Sequence, residues 1–138
     1  MLKGTSAHLS LDHIVLEVAD PARSVAFYKD VLGLLPVRLE EFAAGSAPFP
    51  SARIDAGTLI DFFPAPIWHG KHPHNPNHLC FTTTAGGMAS LKRRLARRSI
   101  PITLVRNHNF GAHGMGRSIY FDDPDGISVE VRYYPTRR

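Results

Sequence analysis

The sequence predicts an α+β fold in which one unit, a strand followed by a helix and three further strands, occurs twice. Each half begins with a strand that has a His near its start, His13 in the first half and His78 in the second. Each half also ends with a strand in which an acid follows a Gly by four positions, in "GTLID" and in "GISVE". We therefore expect paired modules that form a curved mixed sheet or an open barrel, with the helices outside.

The first strand is predicted within "LSLDHIVLEV" because apolar residues alternate there on one face, namely Ile14, Leu16 and Val18. His13 then points to the opposite face. A helix follows, since Asp20 is a good N-cap and a Pro occupies the first helical position. Gly33 is expected to end this helix.

The remaining elements follow from turn residues and apolar patterns. Strands are expected at about 35–42, 52–55 and 58–63, with "AAGSAPFP" as a loop and Gly57 as a turn. The second half is expected to contain a strand at 78–83, a helix at about 87–98 and a strand at 102–106. A glycine-rich loop, "NFGAHGMG", and two strands around the turn "DDPDG" complete it. The chain is thus expected to be a single domain, with module 1 at about 9–66, a linker at 67–76 and module 2 at about 77–134.

Composition excludes several classes of function. With 138 residues and 43% hydrophobic residues, the chain can bury the core of one domain. No segment approaches the roughly 18 apolar residues of a membrane span, and one Cys cannot form an internal disulfide, so we expect a cytoplasmic protein. The net charge of +4 comes largely from a basic helix face without interleaved aromatic residues, so no nucleic-acid or membrane partner is expected.

Strand alternation predicts a cluster of polar side chains inside the expected cup. His13 shares a face with Glu17, His78 with Cys80, and Ser118 with Tyr120. If both helices lie outside, then His13, His78 and Glu130 converge on the concave side. Two imidazoles and one carboxylate on one side of a divalent ion form a facial triad with open positions for substrate.

Three segments carry a resemblance to a known family. "LDHIVLEVADPARSVAFYKDVLGL", "NHLCF" and "GRSIYFDDPDGISVEV" resemble the vicinal oxygen chelate superfamily, which includes glyoxalase I, extradiol dioxygenases, and fosfomycin-resistance and bleomycin-resistance proteins. The resemblance implies paired βαβββ modules and a divalent metal at His13, His78 and Glu130, with iron, manganese, nickel, cobalt and zinc all possible. It also implies a small-molecule substrate and a homodimer, but leaves open whether the cup closes within one chain or across two.

Candidate substrate-binding and catalytic residues surround the expected triad. "GRSIYF" is similar to the fosfomycin-resistance branch, in which the Ser and Tyr at the positions of Ser118 and Tyr120 contact a phosphonate. Glu130 and Tyr120 are the catalytic candidates. The other candidates for substrate binding are Arg117, Arg132 and Asp61, of which Asp61 is also a candidate fourth metal ligand.

Two classes of function follow from this resemblance. The first is a metal-dependent lyase, hydrolase or dioxygenase that binds a small oxygen-rich molecule and stabilises an oxyanion or enolate. The second is a non-catalytic binding or antibiotic-resistance protein that uses the same cup. One branch is disfavoured, because Val15 replaces the Thr that glutathione-transferring fosfomycin-resistance enzymes carry two residues after the first His.

Overall fold

The fold is taken from a computed structural model of the chain, which describes residues 11–64, 75–76, 78–111 and 113–135. The first half contains β1 (His13–Val18), α1 (Pro21–Leu32), β2 (Leu35–Val37), α2 (Leu39–Ala43), β3 (Ser51–Asp55) and β4 (Thr58–Pro64). The second half contains β5 (His78–Thr82), α3 (Ala85–Arg97), β6 (Leu104–Gly111), β7 (Gly114–Asp122) and β8 (Ser128–Tyr133).

The strands form two four-stranded sheets with the same internal order. The first sheet has the order β1-β4-β3-β2 and the second has the order β5-β8-β7-β6. In each sheet the opening strand pairs in parallel with the last strand of its half, and the other pairs are antiparallel. The predicted α+β fold of two repeated units is confirmed.

Local sequence signals place the first helix as predicted. The side chain of Asp20 accepts a hydrogen bond from the backbone N–H of Arg23 at 3.2 Å, which is the expected N-cap contact. Gly33 adopts a φ of 75°, and its N–H donates to the carbonyl oxygen of Lys29 at 2.9 Å. This left-handed conformation is inexpensive only for Gly, so the helix ends at that residue.

Two predicted elements differ in the structure. The strand expected at 35–42 is only three residues long, and Arg38, with a φ of 61°, then turns the chain into the short helix α2. The glycine-rich loop expected after residue 106 is largely strand, because β6 continues to Gly111 and pairs with β7 as a hairpin. The expected linker lies mostly outside the described residues.

One buried core joins the two halves of the chain. The fully buried rings of Tyr28 and Phe62 lie 5.2 Å apart in the first half, and Phe27 contacts Phe121 of the second half at 6.4 Å between ring centroids. None of the helices in the described residues has an apolar stretch of the length that spanning a membrane requires.

A second contact between the halves is polar and involves the turn between β7 and β8. The Tyr28 hydroxyl donates to Oδ2 of Asp123 at 3.1 Å. Asp125 accepts hydrogen bonds from the backbone N–H of Ala19 at 3.0 Å and from the hydroxyl of Ser24 at 3.3 Å. The Arg23 guanidinium pairs with the same carboxylate at 3.1 Å. We name this set of contacts from Asp123 and Asp125 to the first half the intermodule contact.

The stability of the intermodule contact should depend on pH through Asp123. Burial raises the pKa of this carboxyl from 3.8 to about 6, against the opposing hydrogen bonds from the backbone N–H groups of Ile127 and Asp125. Between those two pH values the folded chain keeps a proton that the unfolded chain has lost, so the free energy of unfolding falls as pH rises. The fall attributable to Asp123 is about 3 kcal/mol.

We expect Asp123→Asn to remove this pH-dependent part of the free energy of unfolding, because the amide cannot ionise and still offers an acceptor to the turn. Urea unfolding of the wild type and the variant between pH 4 and pH 7 measures the difference, with Asp122→Asn as the matched control. Parallel stability curves for the wild type and Asp123→Asn would contradict the assignment.

Candidate metal centre

The first sheet holds a His and a carboxylate side by side on its open face. His13 begins β1, and its Nε2 lies 3.9 Å from Oδ2 of Asp61 in the parallel neighbour β4. The other oxygen of Asp61 accepts a hydrogen bond of 2.6 Å from the hydroxyl of Ser51, which lies directly opposite on β3. We call His13 and Asp61 the first half-site.

The imidazole of the first half-site is also held from its other side. Nδ1 of His13 donates to Oδ1 of Asp12 at 2.7 Å, which leaves Nε2 as the nitrogen that faces Asp61. The hydrogen bond to Asp12 and the charge of Asp61 raise the pKa of His13. A His whose Nδ1–H is bound by a carboxylate presents its Nε2 lone pair in a fixed direction, as in many metal sites.

The second sheet repeats this arrangement. His78 begins β5, and its Nε2 lies 3.3 Å from Oε1 of Glu130 in the parallel neighbour β8. The other oxygen, Oε2, accepts hydrogen bonds from Nε of Arg132 at 3.1 Å and from its terminal nitrogen at 2.9 Å. We call His78 and Glu130 the second half-site.

The carboxylate of the second half-site is buried and strongly favoured in its ionised form. Only 3% of Glu130 is exposed, and this burial alone would raise its pKa. Hydrogen bonds from Arg132, Ser118 and Tyr120 outweigh burial and lower the pKa of Glu130 to about 2. A carboxylate that is ionised at neutral pH and lies beside an imidazole is a good ligand for a divalent cation.

The two half-sites therefore share one design. In each, one carboxylate oxygen is fixed by a neighbouring donor and the other faces Nε2 of a His whose side chain is 39–48% exposed. Within the described part of one chain, no three His, Cys, Asp or Glu side chains are grouped so that they could hold a metal ion. Two imidazoles and two carboxylates together form a donor set suited to a divalent transition metal.

Other predicted site residues are divided between the two faces of the second sheet. Tyr120 lies directly opposite Glu130, and Ser118 lies opposite Arg132. The hydroxyl of Ser118 is buried and bonds to the side chain of Asn109 at 2.8 Å. Arg117 points to the opposite face, where its guanidinium donates to the hydroxyl of Tyr133 at 3.4 Å, so the structure does not bring it to the half-site.

An open cavity of about 290 Å³ adjoins the second half-site. Its lining includes His78, Cys80, Glu130 and Phe110, and Phe110 is 81% exposed. Burial, followed by the charge of Glu130, raises the pKa of the Cys80 thiol to about 11, so this thiol stays protonated at neutral pH.

Two further His residues, His108 and His113, lie in the described part of the chain. The backbone N–H of His113 donates to the hydroxyl of Tyr134 at 3.2 Å, and the His113 ring packs edge-on against that tyrosine. His108 lies exposed on β6. The linker residues His69, His72 and His74, together with Trp68, lie outside the described residues.

Three residues that complete the half-sites had not been predicted. Ser51 contacts Asp61, and Asn109 contacts Ser118, because the strands that carry them are paired. Prediction of these contacts requires the register of each hairpin. Asp12 lies one residue before β1, where strand alternation no longer assigns a face. Its position next to His13 is the one signal that could have identified it.

Comparison with known proteins places this chain in a family. A family model described as the Glyoxalase/Bleomycin resistance protein/Dioxygenase superfamily matches residues 10–131. MhqO of Bacillus subtilis, a protein that carries the name of a ring-cleaving dioxygenase, is 26% identical over 132 residues. That match covers 89% of this chain and 39% of MhqO, so the chain spans well under half the length of that relative.

Two further proteins are similar over most of their length. Virulence protein STM3117 of Salmonella typhimurium is 27% identical over 125 residues, which cover 90% of this chain and 83% of that protein. An integron cassette protein from the mobile metagenome of V. cholerae superimposes with a TM-score of 0.74 at 26% identity, over 96% of this chain and 100% of that one. The match of the family model over nearly the whole chain, together with the repeated modules, establishes that this protein belongs to the Glyoxalase/Bleomycin resistance protein/Dioxygenase superfamily.

Proposed function

We propose that the protein is a divalent-metal-dependent enzyme that acts on a small, oxygen-rich substrate. The observation that carries the proposal is the pair of matching half-sites, in which Asp61 and Glu130 each direct one oxygen toward Nε2 of a His. The metal would be held by His13, His78 and Glu130, with Asp61 as a fourth ligand. Bound there, a divalent ion would act as a Lewis acid toward substrate oxygens.

We also propose that the site is assembled between two chains. Each half-site supplies one imidazole and one carboxylate, which is half of a four-ligand set. The faces that carry the half-sites also expose apolar side chains, including Val15 and Phe63 on the first sheet and Phe110 beside the second half-site. A twofold homodimer that apposes the first half-site of one chain with the second half-site of the other would complete two sites and cover this apolar surface.

The side chains around the second half-site define what the protein would contribute to the reaction. Burial and then the hydrogen bond with Glu130 raise the pKa of Tyr120, so its hydroxyl is neutral near pH 7. A neutral phenol beside the metal ligands can donate a hydrogen bond to an oxyanion or enolate as charge develops. Phe110 offers an apolar wall, which favours a substrate that combines adjacent oxygen atoms with an apolar or aromatic part.

The metal content of the protein tests this function. Protein purified without a His-tag should contain about one divalent ion per chain, as expected for two sites in a twofold dimer. Glu130→Gln should lose most of the metal, because the amide has no negative charge to offer the cation. Elemental analysis measures the metal content of the wild type and of this variant. The control is Glu17→Gln, which changes an acid on β1 that belongs to neither half-site. Equally negligible metal in the wild type and in Glu130→Gln would overturn the proposal.

A non-catalytic binding protein is the second candidate, favoured by the open cavity and the exposed Phe110 ring at its edge. Such a protein would bind its ligand equally well after treatment with a chelator. The enzyme would lose turnover on chelation and regain it when metal is added back. Comparison of ligand binding and turnover before and after chelation separates the two functions.

A further inference from the structure

Arg132 is buried in the wall of the second half-site and is bound on several sides. Only 3% of the residue is exposed. Two of its N–H groups donate to the same oxygen of Glu130, Oε2. The terminal nitrogen Nη1 donates to the hydroxyl of Tyr134 at 3.2 Å, and the other terminal nitrogen, Nη2, donates to the carbonyl oxygen of Phe110 at 3.1 Å. The guanidinium is therefore held by protein groups.

Asn109 closes this arrangement from the neighbouring hairpin. The orientation of the Asn109 amide that matches each donor with an acceptor is the one in which its oxygen accepts from Arg132 at 2.8 Å. In this orientation its nitrogen donates to the carbonyl oxygen of Gly116 at 3.1 Å. Burial alone would lower the pKa of Arg132, but the hydrogen bonds to Tyr134 and Glu130 raise it, so the guanidinium stays charged. A planar, charged donor fixed at several points defines the position of the carboxylate that it binds.

Gly111 leaves the space that this arrangement needs. A Cβ added at Gly111 would lie 1.6 Å from a terminal nitrogen of Arg132 and 2.5 Å from the hydroxyl of Tyr134. Both distances are far below van der Waals contact, so any side chain at this position would displace the guanidinium. Gly111 ends β6, and its φ is not in the left-handed region, so close approach is the reason that the structure requires Gly there.

We propose that Arg132 is a positioning residue that fixes Oε2 of Glu130 so that Oε1 faces His78, and that Gly111 is required to admit its guanidinium. The inference rests on the proposed function, because the carboxylate that Arg132 fixes is the proposed metal ligand. It assigns Arg132 a role through Glu130, in place of the substrate contact predicted from sequence. Groups that orient metal ligands typically contribute 10- to 100-fold to metal affinity.

The affinity for Co²⁺, measured by titration of visible absorption, tests this role. Arg132→Met removes the donors while keeping a long apolar side chain, and we expect it to weaken Co²⁺ binding by about 10- to 100-fold. Arg132→Lys keeps the charge but cannot place two N–H groups on one oxygen, so we expect it to restore only part of the affinity. Gly111→Ala should weaken binding to a similar extent as Arg132→Met.

A double-mutant cycle separates positioning from a general loss of structure. In the Arg132→Met background, Gly111→Ala should change the Co²⁺ affinity by less than about twofold, because the guanidinium through which the added Cβ would disturb Glu130 is already gone. Gly86→Ala is the control, since a Cβ there meets its nearest atom at 4.0 Å. Arg132→Met and Arg132→Lys decide the positioning role even if Gly111→Ala fails to fold. Folding of Gly111→Ala in the Arg132→Met background but not in the wild type would support the part assigned to Gly111, and failure to fold in both backgrounds would overturn that part.

The outcomes distinguish this inference from the function on which it rests. A wild-type protein that binds no Co²⁺ would overturn the proposed function and this inference with it. A wild type that binds Co²⁺ with the same affinity as Arg132→Met, or less tightly than Arg132→Met, would overturn the positioning role alone. Additive effects of Gly111→Ala and Arg132→Met would overturn the part assigned to Gly111.

Discussion

Mixing two metal-deficient variants should restore metal binding. His13→Ala breaks the first half-site and Glu130→Gln breaks the second, so each variant alone should bind almost no divalent metal. In a heterodimer of the two, one site would contain both defects and the other would contain neither. Random pairing makes half of the dimers heterodimers, each with one intact site, so the mixture should recover about one quarter of the wild-type metal content.

The matched control mixes Glu130→Gln with His78→Ala. Both changes lie in the second half-site, so a heterodimer of these two chains contains no intact site and should recover no metal. Co-expression of each pair, followed by elemental analysis of the purified protein, gives the comparison. Failure of the first mixture to bind more metal than the control would show that the half-sites do not combine across two chains.

Asp125→Ala should destabilise the protein by about 3 kcal/mol, because the intermodule contact depends on this carboxylate. The substitution would leave the backbone N–H of Ala19 and the hydroxyl of Ser24 without their acceptor, and it would remove the partner of Arg23. Since domains are typically stable by only about 5–15 kcal/mol, this loss should be evident as a large shift in the urea midpoint.

Two further variants locate the source of this effect. Ser24→Ala removes one of the three partners of Asp125 and should cost about 1 kcal/mol. Asp55→Ala removes an exposed acid at the end of β3 together with one local hydrogen bond, from the N–H of Gly57, and serves as the control for loss of charge. A free energy of unfolding for Asp125→Ala within 1 kcal/mol of that for Asp55→Ala would contradict the assigned role.

The parts of the fold that were predicted correctly depend on local chemistry. The cap at Asp20, the left-handed residue at Gly33 and the alternation around Leu16 act within a few residues, so the sequence alone contains the information. The same alternation placed His13 and Glu130 on the faces where the structure has them. The repeat of the two modules was visible because each module carries its His and its acid at corresponding strands.

The parts that were missed depend on contacts distant in sequence. The strand expected at 35–42 ends early because Arg38 adopts a left-handed conformation that its residue type does not predict. The continuation of β6 through "NFG" depends on pairing with β7. The sequence did not predict it because the glycines in this segment are typical of a loop. The role of Arg132 depends on the space at Gly111, and that space exists only after the hairpin has formed.

The position of the turn between β7 and β8 has a consequence for variants far from the half-sites. Asp125 contacts the first half of the chain, and Glu130 lies five residues later on the strand that leaves this turn. We therefore expect substitutions in α1 that weaken the contacts to Asp125 to shift β8 along its neighbours and displace the Glu130 carboxylate. A mutational screen for metal loss should accordingly recover changes at Arg23 and Ser24, which touch no ligand.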